Sequence, residues 1–139
     1  MSNNTDRIRL LNNIFRQTFI GGQVVLTLGI RSKPEKEVAE ILERVRTFNA
    51  FNKNNDIYDE QDYLSFDYKG EKIIAKIDYY DKNLQYHSPD PSDSSKTTRI
   101  MTILTASEWW DFFTVSPHKK IKALKKAKNP LLYRAFFIL

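Results

Sequence analysis

The apolar residues of this chain change their period once, near Asn52, and that change limits the folds open to it. Before it they recur at helical spacing; after it they alternate. Leu64, Phe66 and Tyr68 are interleaved with Ser65 and Asp67. Lys69-Gly70 then turns the chain, and Ile73, Ala75, Ile77 and Tyr79 continue on the return, so a β-hairpin is expected. Residues 97–105 read as a further strand, β-branched and apolar on both faces, which suits a central position.

Upstream, Thr5 is a competent N-cap with Asp6 behind it to complement the helix dipole. Ile8, Leu11, Phe15 and Thr18/Phe19 follow at helical spacing until Gly21-Gly22. Residues 23–29 are expected to form a short strand. Ser32 and Glu35 then have the spacing of a capping box, with Pro34 in the first turn, where its missing N–H costs nothing. Val38, Ile41, Leu42, Val45 and Phe48 are that helix's buried stripe, and Glu40 and Arg44 stand at the favourable four-residue spacing. Residues 107–113 begin a short helix. Pro117, after Ser116, starts a Lys-rich helix, and Asn129-Pro130 starts a last turn ending in Phe136-Phe137-Ile138-Leu139. The order predicts an α+β fold: an antiparallel sheet of about four strands packed against two helices, with a C-terminal helical extension. The expected division is a single α+β domain over residues 1–115 and a basic, C-terminally apolar tail over 116–139.

Composition narrows the chemistry. With no cysteine there is no disulfide, no thiolate zinc site and no cysteine nucleophile. Residues 1–6 are polar and lack the apolar core of a secretory signal, and no run of about 18 apolar residues exists, so a cytoplasmic location is expected. The net charge of +5 is unevenly placed. Beyond Asp111 there is no acidic residue, while Lys119, Lys120, Lys122, Lys125, Lys126, Lys128 and Arg134 supply seven positive charges. The rest holds 15 basic against 17 acidic side chains, or −2.

Several strings, in order along the chain, carry a resemblance. They are Arg7-Ile8-Arg9-Leu10-Leu11-Asn12-Asn13-x-Phe15-Arg16, Leu26-Thr27-Leu28-Gly29-Ile30, Phe48-Asn49-Ala50-Phe51 with Asn54-Asn55-Asp56, and Lys76-Ile77-Asp78-Tyr79-Tyr80-Asp81. Ser88-Pro89-Asp90-Pro91 and Thr98-Arg99-Ile100-Met101-Thr102-Ile103-Leu104 complete the set. Together they resemble an uncharacterised bacterial domain family common on plasmids, prophages and other mobile DNA, often near antirestriction genes. The resemblance implies a context rather than a chemistry. Where that family shows an N-D-P-x-G-E-H-D-F-G-like run, here stand Asn55-Asp56-Ile57-Tyr58-Asp59-Glu60-Gln61-Asp62-Tyr63, so the family's histidine is replaced by Gln61, which neither ligates nor titrates usefully.

Asp56, Asp59, Glu60 and Asp62, with Asp78 and Asp81, are the best candidates for a hard-cation site, since magnesium and calcium want several oxygen ligands. The alternative is a solvated loop whose acids cap turns and pair with Lys53, Lys76 and Lys82. Asp78-Tyr79-Tyr80-Asp81 joins aromatic rings to carboxylates, a combination suited to a protein interface; the alternative buries Tyr79 in the core and Tyr80 on the opposite face. His87 and His118 are the only histidines, with no serine in a nucleophile elbow, and the glycines form no phosphate-binding fingerprint. No catalytic set and no cofactor are therefore assigned. In the tail, Ile121, Leu124 and Ala127 form a narrow apolar stripe, and Lys119, Lys120, Lys122, Lys125, Lys126 and Lys128 cover the other directions. Such a helix can contact phosphates or an acidic partner, lie on a membrane surface, or fold back on the domain.

The leading expectation is a non-enzymatic binding protein of a mobile element. It would inhibit host defence of the CRISPR or restriction type by occluding a nucleic-acid-processing complex. Asp56, Asp59, Glu60, Asp62, Asp78, Tyr80 and Asp81 would form the partner surface. The alternatives are a DNA- or RNA-binding accessory protein acting through the Lys-rich tail, and a divalent-metal-dependent enzyme using the acidic loop. A homodimer would bury the final apolar turn.

Overall fold

A computed structural model describes residues 4–113. The elements follow in order as α1 (Asn4–Thr18), β1 (Gln23–Leu26), α2 (Leu28–Arg31), α3 (Glu35–Thr47), β2 (Tyr63–Tyr68), β3 (Glu71–Tyr80) and β4 (Thr98–Thr105). A 3₁₀ turn (Ala106–Glu108) and α4 (Trp109–Phe113) close the described chain. No described helix is long and apolar enough to cross a membrane. The Lys-rich helix from Pro117, its six lysines, the turn at Asn129-Pro130 and the final apolar run lie outside the described residues.

The α+β class and the four-stranded sheet are present, with helices covering one face. The hairpin is as expected: β2 and β3 pair antiparallel with Tyr68 opposite Glu71. Lys69 and Gly70 both take positive φ, 49° and 80°, the conformation that a two-residue turn needs to match strand twist. β4 is central, between β1 and β3, in the order β1-β4-β3-β2.

The sheet is mixed, which corrects the antiparallel expectation: β1 runs parallel to β4, pairing Gln23 with Ile100 and Leu26 with Ile103. Alternation of side chains is the same in either direction of pairing, so sequence period does not distinguish them. The strand expected over 23–29 is also shorter. After Leu26 the Thr27 carbonyl already accepts the Ile30 and Arg31 amides, starting α2. The cause lies far along the chain, because the Glu108 carboxylate accepts the Thr27 hydroxyl at 2.6 Å and the Gly29 amide at 3.0 Å, capping that turn. The Ser32–Glu35 capping box does not form. Ser32 instead closes α2, donating its amide to the Leu28 carbonyl, and Pro34 stands at the N-cap of α3. Glu40 and Arg44 do not pair either: Glu40 accepts the Tyr68 hydroxyl, while Arg44 lies over the Phe66 ring.

The core lies between the sheet and helices α1, α2 and α3. Phe15, Phe19, Ile30, Ile41 and Val45 meet Val24, Leu26, Leu64, Phe66, Ile73, Ala75, Ile77, Met101 and Ile103. On the opposite face Val25, Tyr80 and Ile100 cluster with Leu84, and the Trp109 ring meets Tyr63 edge-on at 5.7 Å.

Candidate functional site

The stripe of α1 that faces inward is not wholly apolar. Between Ile8 and Phe15 stands Asn12, completely buried, and one position beyond Phe15 stands Arg16, 3% exposed. A buried amide must be satisfied, and Asn12 is, three times over. It donates to the Glu60 carbonyl (3.0 Å) and the Tyr79 hydroxyl (2.8 Å), and accepts from Arg99 Nε (2.9 Å). Arg99 also donates to the Pro91 carbonyl and stacks on the Tyr79 ring at 5.2 Å. A single side chain of α1 thus ties the segment before β2 to the centre of the sheet. Burial pushes the Tyr79 hydroxyl up. Burial, with the negative charge of Asp62, also pushes the Glu60 carboxyl up, against the lowering effect of a hydrogen bond from Tyr79. Burial also lowers the Arg99 guanidinium from its usual range.

Residues 48–62 run across this support as a tightly bonded loop. Asn52 Oδ1 accepts the amides of Asn54 and Asn55, and Asn55 in turn reaches the Asn52 amide and the Ala50 carbonyl. Asp56 Oδ1 accepts the Gln61 amide, and Arg9 clamps both the Asp59 carbonyl (2.8 Å) and carboxylate (2.7 Å). Asp59 and Gln61 take positive φ, 60° and 53°. The loop is shaped by its own Asn and Asp side chains. At its tip Ile57 and Tyr58 are each 78% exposed.

The acidic residues singled out from sequence divide into groups. Asp62 and Asp78 are brought together by Lys76, at 2.8 and 3.5 Å, on the sheet face away from α1 and α3. Burial opposes the charge on Lys76, but Asp78 and Asp62 outweigh it and raise its pKa. Asp56 and Asp59 serve the loop and Arg9, and Asp81 accepts the Gln85 amide in a separate turn. Among the described residues, no three of His, Asp and Glu are grouped so as to hold a metal ion. Tyr80 is 4% exposed and lies beside the His87 ring on the sheet's far face, while Tyr79 packs against the main core. The lysines 119–128 lie outside the described residues.

Two hollows flank the loop, sharing Phe51 and Gln61. One, about 510 Å³, is lined by Lys53, Asp56, Ile57 and Asp59. The other, about 370 Å³, opens between the second half of α1 and the turn after α3, over Arg16, Arg46 and Asn49. Sequence reading gave no role to Asn12, Arg16, Arg99, Ile57 or Tyr58. A signal existed for three of them: a polar or charged residue at an apolar position of a helix stripe or a central strand. Gln61 sits at the seam of both hollows.

Residues 26–108, well over half of the chain, match the model of a family described as protein of unknown function (DUF3768). The match takes in α3 and the whole β2–β4 unit and leaves α1 outside it. No curated protein matches, and no solved structure does.

Proposed function

The chain belongs to DUF3768, a family of proteins of unknown function, and on that premise we propose that it is a non-enzymatic binding protein of a mobile element. It inhibits a host nucleic-acid-processing complex of the CRISPR or restriction type by occluding it. The observation that carries this reading is the loop tip. Ile57 and Tyr58 stand in solvent, on a loop held by the Asn52–Asn55 bonds and the Arg9–Asp59 clamp. Exposed large apolar side chains on a preorganised loop are the usual anchors of a protein interface, because little entropy remains to be lost on binding. Asp59, its side chain 69% exposed with the carboxylate paired to Arg9, and Asp56 place acidic groups beside the tip. That arrangement is complementary to the basic channels through which such complexes hold nucleic acid. The Asp62–Lys76–Asp78 triplet adds a polar rim on the other side of β2.

The test uses purified CRISPR effectors and restriction enzymes of a host, mixed with the protein in size-exclusion chromatography, alongside phage-plating assays in cells. Co-elution with one complex and restored plating are expected. The double variant Ile57→Asp with Tyr58→Ala, at two exposed positions, should keep its fold within about 0.5 kcal/mol. It should bind at least about 30-fold more weakly, the loss of roughly 2 kcal/mol typical of an interface anchor. Absence of any complex and unchanged plating would sink the proposal.

A further inference from the structure

The hollow over Arg16 is lined by two arginines, Arg16 and Arg46, and by no described acidic residue. Arg16 is 3% exposed, and no carboxylate among the described residues lies within ion-pair distance of it. Its guanidinium donates to Asn13 Oδ1 at 2.6 Å and, weakly, to the Phe48 carbonyl at 3.4 Å, and stacks on the Phe51 ring at 5.0 Å. Its Nε is buried with no hydrogen-bond partner. A buried guanidinium without a counter-charge is costly, and burial alone draws its pKa down. The hollow it lines, about 370 Å³, also draws on Arg46, Asn13, Gln17, Asn49 and Gln61, and among the described residues no acidic one borders it. Arg46 is engaged only loosely, 3.9 Å from Glu43 and stacked on Phe19.

We propose that this hollow binds a phosphate group, held by Arg16 and Arg46 and by the side-chain amides of Asn13, Asn49 and Gln61. Two guanidiniums match the charge of about −2 that a phosphate monoester carries at neutral pH, and the surrounding amides suit an anion with three or four acceptor oxygens. The volume exceeds that of a phosphate ion, leaving room beside Phe48 and Phe51 for the group that carries it. This inference stands apart from the loop-tip reading, since it uses different residues and is read without any partner protein.

The experiment follows the Arg16 Nε–Hε resonance and the amides of residues 46–51 by NMR while the full chain is titrated at constant ionic strength. The probes are inorganic phosphate, adenosine 5′-monophosphate and acetate. Saturable shifts with inorganic phosphate are expected. A nucleotide binding more tightly than the free ion would identify a carried phosphate, and the reverse would identify the free anion. Acetate should produce no saturation. Asn49→Asp places a carboxylate at the exposed rim and should abolish binding; Arg46→Gln should weaken it about tenfold, with the amide spectrum otherwise unchanged. If phosphate and the nucleotide move no cleft resonance, if acetate saturates as they do, or if both rim variants bind as wild type does, the proposal is wrong.

Discussion

Replacing Asn12 by Ala tests whether one buried amide joins α1 to the sheet. The substitution removes two donors and one acceptor at a site with no solvent exposure. The Glu60 carbonyl and Tyr79 hydroxyl each lose a neutral bond, and Arg99 loses a charge-assisted one. At about 1 kcal/mol for each neutral bond and roughly 1.5–3 for the charged one, the loss is about 3.5–5 kcal/mol. Water entering the small polar void would return part of this, placing the result toward the lower end. Against a total stability of roughly 5–15 kcal/mol, the change is large. Urea unfolding should show a lower midpoint with an unchanged slope, as expected for a change in stability rather than in surface exposed. Asn12→Asp keeps an acceptor for Arg99 and supplies it with a counter-charge, so it should lose less than Asn12→Ala at neutral pH. A loss below about 1 kcal/mol for the Ala variant would refute the network's structural role. An Asp variant weaker than the Ala one would refute the assignment of Arg99 as its principal partner.

Two further outcomes follow from close contacts. A Cβ added at Gly22 would stand 2.6 Å from both the Arg99 carbonyl and the Phe15 ring. Phe15 is 1% exposed and has nowhere to move, so Gly22→Ala should destabilise by about 1–3 kcal/mol in the same urea assay. For Glu108, burial pushes the carboxyl up, but hydrogen bonds from Thr27, Thr105 and Gly29 outweigh it, and its pKa lies below the usual 4.5. A depressed folded-state pKa means that the contribution is complete above the unfolded value and is lost as pH falls through the folded one. Stability should therefore decline below about pH 5, and Glu108→Gln, less stable at neutral pH, should show a shallower decline in acid titration of the unfolding midpoint.

The hairpin and the central place of β4 were legible because both follow from short-range rules. Alternation over a few residues sets a strand's two faces, and a Gly in the second turn position admits positive φ. The stripe of α3 was legible for the same reason, with Ile41 and Val45 buried where the spacing put them. Along α1 and just past its end, Ile8, Phe15 and Phe19 are buried where the spacing put them, but Leu11 is only half-buried, whereas Asn12 is fully so. Polarity is a poor guide to exposure where distant partners satisfy the group. Those partners, Glu60, Tyr79 and Arg99, lie 48, 67 and 87 residues away. Ser32 likewise had the composition of a cap but was taken by a competing turn whose stability comes from Glu108.

The sequence by itself determined the class of the domain, its hairpin, its amphipathic α3 and the separation of its charge into a slightly acidic body and a basic end, because periodicity and composition are local properties. Only the tertiary structure decided the parallel pairing of β1, the burial of Tyr80, the division of the acidic residues between Lys76 and Arg9, and the isolation of Arg16 beneath an acid-free hollow. Each of these depends on which distant group arrives opposite a side chain, and the free energy of a buried polar or charged residue is set almost entirely by that neighbour.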